Sequence, residues 1–386
     1  MLQRRRWLVP VLAGLTAMVA VSATVVAVTR AHPGDGRAVR ATAARLPPSP
    51  QAGSPAAPEN HPAAPQAPQA PRAVIAPALV APLAVGSDVL VDVSVATLWS
   101  EPQMARPVDQ PSLSDPVDVD RWVSTMTVAE KRWLVGRLVT QALYGERVTV
   151  VETRGDWARV TIGDQPTSLD RRGYPGWLPA VQLSRRPASA DTGRSAAVTA
   201  PRSTLRDPGQ PTGPGFQVTY ATRLPVLAVD DQWVTVATPD DGRGLLARAD
   251  VDIVDSPPHP ATGPELVRSA QLFSGVPYLW AGTSALGFDC SGLVWAAFRA
   301  HGIVVPRDAD DQATAGVSVS PSELAPGDLL FYASGPGPEA VHHVAMYVGN
   351  GMMIQSPATG RAVETIPVAA PSFAREFRVA RRYVSP

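Results

Sequence analysis

Apolar and polar positions follow three different rhythms along this chain. Trp7 to Thr29 runs without a charge directly behind Arg4-Arg5-Arg6. A basic flank followed by a long apolar run reads as an export signal, and about 20 apolar residues suffice to cross a bilayer. Residues 1–30 are therefore expected to be a signal peptide or an uncleaved membrane anchor, with the rest of the chain outside. Residues 31–84 lose the rhythm altogether and read as a Pro/Ala-rich linker, as in Pro62-Ala63-Ala64-Pro65-Gln66-Ala67-Pro68.

A two-residue rhythm begins at Asp88. Val89 to Val93, Ala96 to Trp99, Arg147 to Glu152 and Trp157 to Ile162 predict strands, and Gly176-Trp177-Leu178-Pro179 closes the set. Between them, Thr127 and Glu130 have the spacing of a capping box ahead of Trp133, Leu134 and Leu138, which predicts an inserted helix. A second set runs through Pro225 to Val229, Trp233 to Val236 and Gly244 to Ala247. Both sets share a strand, a tight turn, a tryptophan opening the next strand and a closing strand. This repeat predicts two small β-barrels, over residues 85–185 and 198–256, with linkers at Ser184 to Pro201 and Asp255 to Pro264.

The last rhythm is helical. Leu293, Val294, Ala297 and Phe298 share one face of a predicted helix that begins near Cys290. Strand patterns follow at Asp328 to Tyr332, Val344 to Val348 and Met352 to Gln355, so residues 262–386 read as an α+β domain.

Composition changes this picture in two ways. The 34 basic residues balance 34 acidic ones, which gives no electrostatic case for nucleic acid. Cys290 is the only cysteine, so no intrachain disulfide is available and an exported thiol needs another purpose. At a helix N-terminus, unpaired backbone N–H groups favour an anion and lower a thiol pKa, whereas the adjacent Asp289 opposes a thiolate.

A nucleophilic cysteine needs a base, and the chain has six histidines. His32 and His61 lie in the linker, and His259 is flanked by prolines. His301 stands about 16 Å from Cys290 along one helix, beyond hydrogen-bond reach. His342 and His343 remain, at the head of a strand. Adjacent strand residues face opposite sides, so one of them at most meets Cys290. Gln355 is the candidate to orient the imidazole. A two-residue turn at Asn350-Gly351 would put Gln355 on the His342 face, and a three-residue loop would put it on the His343 face.

Five ordered segments carry a resemblance: Pro277-Tyr278-Leu279-Trp280, Asp289-Cys290-Ser291-Gly292, Val305-Pro306-Arg307, Pro326 to Phe331, and His343-Val344-Ala345-Met346-Tyr347. Together they resemble the NlpC/p60 cysteine peptidases of bacterial cell walls, and the two β-sets resemble bacterial SH3-like domains. The resemblance implies a papain-like α+β catalytic domain preceded by two small all-β SH3-like barrels. It implies Cys290 as nucleophile, His343 as base and Gln355 where the family usually has a histidine, and His342 is an extra. The Cys290 backbone N–H and the Tyr278 hydroxyl are the implied oxyanion donors.

Trp133, Thr140 to Glu146 and Gly173 to Trp177 further resemble the first SH3-like domain of γ-D-glutamyl-diamino acid endopeptidases. In those enzymes that domain caps the cleft and the substrate bears a free L-alanine amine. Tyr174, Asp289 and Ser291 are then the implied amine contacts, with Glu146, Asp308 and Trp280 as further substrate contacts. A lone cysteine with adjacent histidines lacks zinc-type ligand spacing, so no metal or other cofactor is implied.

The reading is an exported endopeptidase acting on peptidoglycan stem peptides. The rivals are another Cys/His amidase or acyltransferase on the same fold, and a wall-binding scaffold without catalysis.

Overall fold

In the computed structural model, residues 83–184, 193–255, 261–337 and 340–385 are described. The expected export segment and most of the Pro/Ala-rich stretch lie outside these residues. Among the described residues no helix is long and apolar enough to cross a membrane.

Strands β1 (Asp88–Leu90), β2 (Val95–Trp99), β3 (Leu138–Leu143), β4 (Arg147–Arg154), β5 (Trp157–Ile162) and β6 (Tyr174–Pro179) form one antiparallel sheet. Their order is β1-β4-β5-β6-β2-β3. Two short helices, α1 (Val119–Thr125) and α2 (Val128–Trp133), are inserted between β2 and β3. The Thr127/Glu130 capping box opens α2 as expected. Leu138 does not belong to that helix. Gly136 adopts a left-handed φ of 73° and turns the chain, and Leu138 becomes the first residue of β3.

The next sheet contains β7 (Arg194–Val198), β10 (Arg223–Val229), β11 (Trp233–Thr238), β12 (Gly242–Ala247) and β13 (Val251–Asp255), in the order β12-β11-β10-β7-β13. A hairpin of β8 (Arg202–Leu205) and β9 (Phe216–Thr219) leans on β12 through an Arg206–Leu245 bridge. β7 lies within the stretch read as linker, because Ser195 to Val198 show no strong alternation and become a strand only by pairing with β10 and β13. The internal repeat has a structural counterpart. The β4–β5 and β10–β11 hairpins each open their second strand with tryptophan, Trp157 or Trp233, and each pairs onward to the next strand, β6 or β12.

The remaining domain starts with α3 (Gly263–Gln271), whose first two residues fall in the second stretch read as linker and whose N-terminus carries a Thr262/Glu265 capping box. A two-residue pair, β14 (Thr283–Ser284) and β15 (Gly287–Phe288), leads into α4 (Cys290–Ala300), and α5 (Ala309–Thr314) follows. The sheet order is β16-β21-β17-β18-β19-β20. Its members are β16 (Val317–Val319), β17 (Leu329–Ala333), β18 (Val341–Gly349), β19 (Met352–Gln355), β20 (Glu364–Pro367) and β21 (Phe377–Arg382). The short α6 (Pro371–Ala374) precedes β21. Helix α4 is apolar nearly all round and packs on β18. One apolar cluster continues from Trp99, Trp122 and Trp177 of the first barrel, through Tyr220 of the second, into Phe273, Phe288 and Phe298. Both barrels thus share a core with the domain that carries Cys290.

Candidate active site

Asp289 precedes α4 with extended backbone, φ −87° and ψ −179°, and its Oδ1 accepts from the Gly292 N–H at 2.6 Å. That is an N-cap, and it makes Cys290 the first residue of the helix. Gly292 is required here because a Cβ would stand 2.0 Å from the Gly282 carbonyl oxygen. Cys290 is half-buried, whereas the ten residues after it in α4 are buried. Burial, and then the Asp289 charge, push its thiol up to about 12. The Val344 and Ser291 backbone N–H groups and the Arg307 charge act in the opposite direction. The Val344 N–H that acts on the thiol belongs to β18 and directly follows His343 in the chain.

The β18–β19 turn decides which of the two histidines Gln355 faces, in a way that loop length alone does not. Asn350 and Gly351 have positive φ, 52° and 70°, and Gly349 pairs with Met352, so the turn has two residues. That length by itself puts Gln355 on the His342 face. A bulge between Tyr347 and Gly349 then shifts the register by one, so Tyr347 pairs with Met353 and Met346 with Ile354. Gln355 therefore falls on the face of Ala345 and His343. Its Oε1 lies 2.6 Å from His343 Nε2. His342 points the other way, with its Nε2 3.4 Å from Glu376.

His343 is buried against the Tyr332 and Phe373 rings, with centroids at 5.8 and 5.2 Å. Burial pushes its pKa down to about 4, against the Gln355 hydrogen bond. Thiol and imidazole are both shifted toward their neutral forms. A carbonyl oxygen at Nε2 means that Nε2–H donates, and Nδ1 is left with a lone pair. His301 lies apart at the far end of α4, its Nε2 3.0 Å from Ser269 Oγ.

The residues on either side of Cys290 gather around Arg307, which belongs to the Val-Pro-Arg segment of the resemblance but carries no expected role. It is fully buried. Its guanidinium donates to Asp289 Oδ1 at 3.1 Å and Oδ2 at 2.8 Å, to Ser291 Oγ at 2.9 Å and to Thr140 Oγ1 at 3.0 Å. Asp289 and Ser291 are thus brought together, with the Asp289 charge balanced. The first barrel closes over them. Its 163–173 loop accepts the Arg307 N–H at the Pro166 carbonyl and donates from the Ser168 N–H to Asp311. Tyr174 donates to Asp308 Oδ2 at 2.8 Å, and burial pushes the Asp308 carboxyl up to about 6. Burial raises the Tyr278 pKa, and nearby Cys290 and Asp289 add to the rise.

Two further residues expected as substrate contacts have protein partners of their own. Glu146 is buried away from this group. It accepts from the Leu143 N–H at 2.8 Å and lies 3.5 Å from Arg299, because the β3–β4 turn points it toward the C-terminal half of α4. Trp280 donates from Nε1 to the Leu138 carbonyl at 3.0 Å and so anchors the catalytic loop to β3.

A thiol at a helix start, an imidazole with one nitrogen unprotonated on the adjoining strand and an amide fixing that imidazole are the groups that acyl transfer through a thioester needs. The NlpC/P60 family profile matches residues 275–382 of the chain. A bacterial dipeptidyl-peptidase Sh3 domain profile matches 135–183, and a YKFC SH3b2 domain profile matches 198–253. A Bacillus cereus protein named gamma-D-glutamyl-L-lysine dipeptidyl-peptidase is 42% identical over 305 residues, covering 77% of this chain and 91% of that protein. The chain belongs to the NlpC/P60 family. A Bacillus subtilis protein of the same name is 35% identical and covers 76% of this chain and 97% of its own length. A crystal structure of an NlpC/P60 family protein from Bacillus cereus superimposes with a TM-score of 0.73 at 40% identity, over 78% of this chain and all of that one. The NlpC/P60 domain with two SH3-like domains upstream is therefore the architecture of this peptidase.

Proposed function

We propose that this NlpC/P60 enzyme hydrolyses the γ-D-glutamyl–diamino acid bond of peptidoglycan stem peptides bearing a free N-terminal L-alanine. Cys290 Sγ attacks the γ-carbonyl carbon while His343 Nδ1 takes the thiol proton. The tetrahedral oxyanion is held by the Cys290 N–H and the Tyr278 hydroxyl. Its collapse expels the amine, which takes the proton from His343 and leaves a thioester. Water, deprotonated by the same imidazole, then releases the acid and restores the thiol. Because burial opposes both charged forms, the proton moves as the bond forms.

The observation that carries this reading is the His343–Gln355 pair beside Val344, whose N–H favours the Cys290 thiolate. The substrate follows from the names of the two Bacillus relatives and from the rim. Asp289 is balanced by Arg307, so Asp308 with Tyr174 is the group left to meet an ammonium. The basic flank and apolar run at Arg4 to Thr29 support an exported enzyme, anchored or cleaved, and fractionation of cells expressing tagged chain tests it.

Incubation with L-Ala-γ-D-Glu-L-Lys should release L-Ala-γ-D-Glu and lysine, and Cys290→Ala should abolish release. Cleavage confined to a muramyl–L-alanine bond would favour an amidase, and full wall lysis by Cys290→Ala would leave only a scaffold. Asp308 carries a second prediction. Its carboxyl ordinarily titrates near 3.9 and here is pushed up to about 6, so the free enzyme loses that charge as pH falls through 6. In wild type, kcat/KM for the free-amine peptide should fall below pH 6, and for the N-acetylated peptide it should not. Asp308→Asn should remove this limb and raise KM about tenfold at pH 7.

A further inference from the structure

Gln355 is engaged at both ends of its amide. Oε1 faces His343, and Nε2 donates to Glu364 Oε1 at 3.0 Å. Glu364 is the residue directly opposite Gln355 in the β19–β20 pairing. Arg361 holds its carboxylate at 2.6 and 2.5 Å. The backbone of this stretch is fastened in turn: the Arg361 carbonyl accepts from the Tyr278 N–H at 2.9 Å, and the Val363 N–H donates to Val276 at 2.8 Å.

An amide side chain has nearly the same shape either way round, so packing alone does not orient it. Flipped, Gln355 would offer its NH2 to His343 Nε2 and its carbonyl oxygen to Glu364. An ionised carboxylate has only acceptors, so that arrangement sets two oxygens against each other. It would also force the imidazole proton onto Nδ1, the nitrogen that must take the proton from Cys290.

We infer that Glu364 is a positioning residue: by accepting from the Gln355 amide it fixes which way Gln355 faces, and hence which nitrogen of His343 holds the proton. The inference rests on the reading of Cys290 and His343 as nucleophile and base. Gln355 carries no charge of its own, and Glu364 puts one behind it. The other groups around His343 are the Tyr332 and Phe373 rings and the His342 and Asp289 charges, and none of these contacts Gln355 in the way Glu364 does.

Three substitutions in the full chain test this, with L-Ala-γ-D-Glu-L-Lys as substrate and ¹⁵N spectra of the histidine rings as a second readout. Glu364→Gln keeps an acceptor carbonyl and should retain most of kcat with the His343 proton on Nε2. Glu364→Ala removes the directional preference and should lower kcat about tenfold at unchanged KM. Glu364→Lys presents a donor and should flip the amide, moving the ring proton to Nδ1 and lowering kcat about a hundredfold or more. Wild-type kcat or an Nε2–H spectrum in a folded Glu364→Lys overturns the inference. So do equal losses in Gln and Ala with a matching fall in Tm, which mark a merely structural residue. If the Lys variant does not fold, the Gln and Ala pair decides. Cys290→Ala separates the two levels: activity in that variant sinks the catalytic reading, whereas an inactive Cys290→Ala beside an indifferent Glu364 series sinks only the inference.

Discussion

Two buried arginines, Arg299 in the last turn of α4 and Arg307 between α4 and α5, do different work with the same chemistry. Arg307 uses four donor contacts on side-chain oxygens of Asp289, Ser291 and Thr140, and its carboxylate partner is itself nearly buried, with 12% of the side chain exposed. Arg299 spreads its contacts over both barrels. Nε donates to the Ala221 carbonyl of the second barrel at 3.2 Å and Nη1 donates to Asp164 of the first at 2.9 Å, while Glu146 lies at 3.5 Å. Asp164 is 56% exposed, and Glu146 Oε1 is buried without a hydrogen bond. The Arg307 cluster is buried and satisfied and sits on the two residues either side of Cys290. The Arg299 cluster joins domains and leaves one carboxylate oxygen unsatisfied. Burial of a charge pair is thus not one kind of interaction: its worth depends on whether every lone pair and proton finds a partner.

Replacing each arginine by alanine separates the two roles. Arg307→Ala leaves Asp289 as an uncompensated buried charge next to the N-cap and the thiol. It should cost about 3–5 kcal/mol in denaturant unfolding and lower kcat/KM about a hundredfold. Arg299→Ala should cost less, about 1–3 kcal/mol, since water can take over Asp164, and should leave kcat/KM near wild type. Equal losses of activity in both variants would erase the distinction.

The smallest expected effect sharpens it. Burial raises the Glu146 carboxyl above its ordinary value, with the Arg299 charge acting against this. A carboxyl whose folded pKa is raised favours the folded state only while protonated, so its ionisation weakens the fold as pH rises. Glu146→Gln should therefore stabilise by up to about 1 kcal/mol at pH 8, and the gain should vanish near pH 4, below the ordinary Glu value. A Glu146→Gln variant that is destabilised at pH 8 would mean that the Arg299 cluster is as well matched as that of Arg307.

Much of the molecule was legible in the chain. Period-two stretches marked the strands that carry their own alternation, such as Trp157 to Ile162, and the Thr127/Glu130 spacing marked α2. Strands whose identity comes only from their neighbours were missed. β7 and β3 lack a signal of their own, and Leu138 fits a helix face equally well until Gly136 turns the chain. Glu146 shows the same limit in the site. Its segment resembles a cleft-capping domain, yet which side of a tight turn a carboxylate leaves from is settled by the groups that meet it there, the Leu143 N–H and Arg299.

The sequence by itself determined that the single thiol opens a helix, since Asp289, Gly292 and the apolar face of Leu293 to Phe298 are local features with local causes. It also reduced the base to two adjacent residues on one strand. Only the tertiary structure decided which of them meets Gln355. Side chains alternate with every residue of a strand, so the one-residue bulge between Tyr347 and Gly349 reverses the outcome that turn length predicts and brings Gln355 to His343. A bulge is set by the whole sheet, and no spacing in the chain announces it.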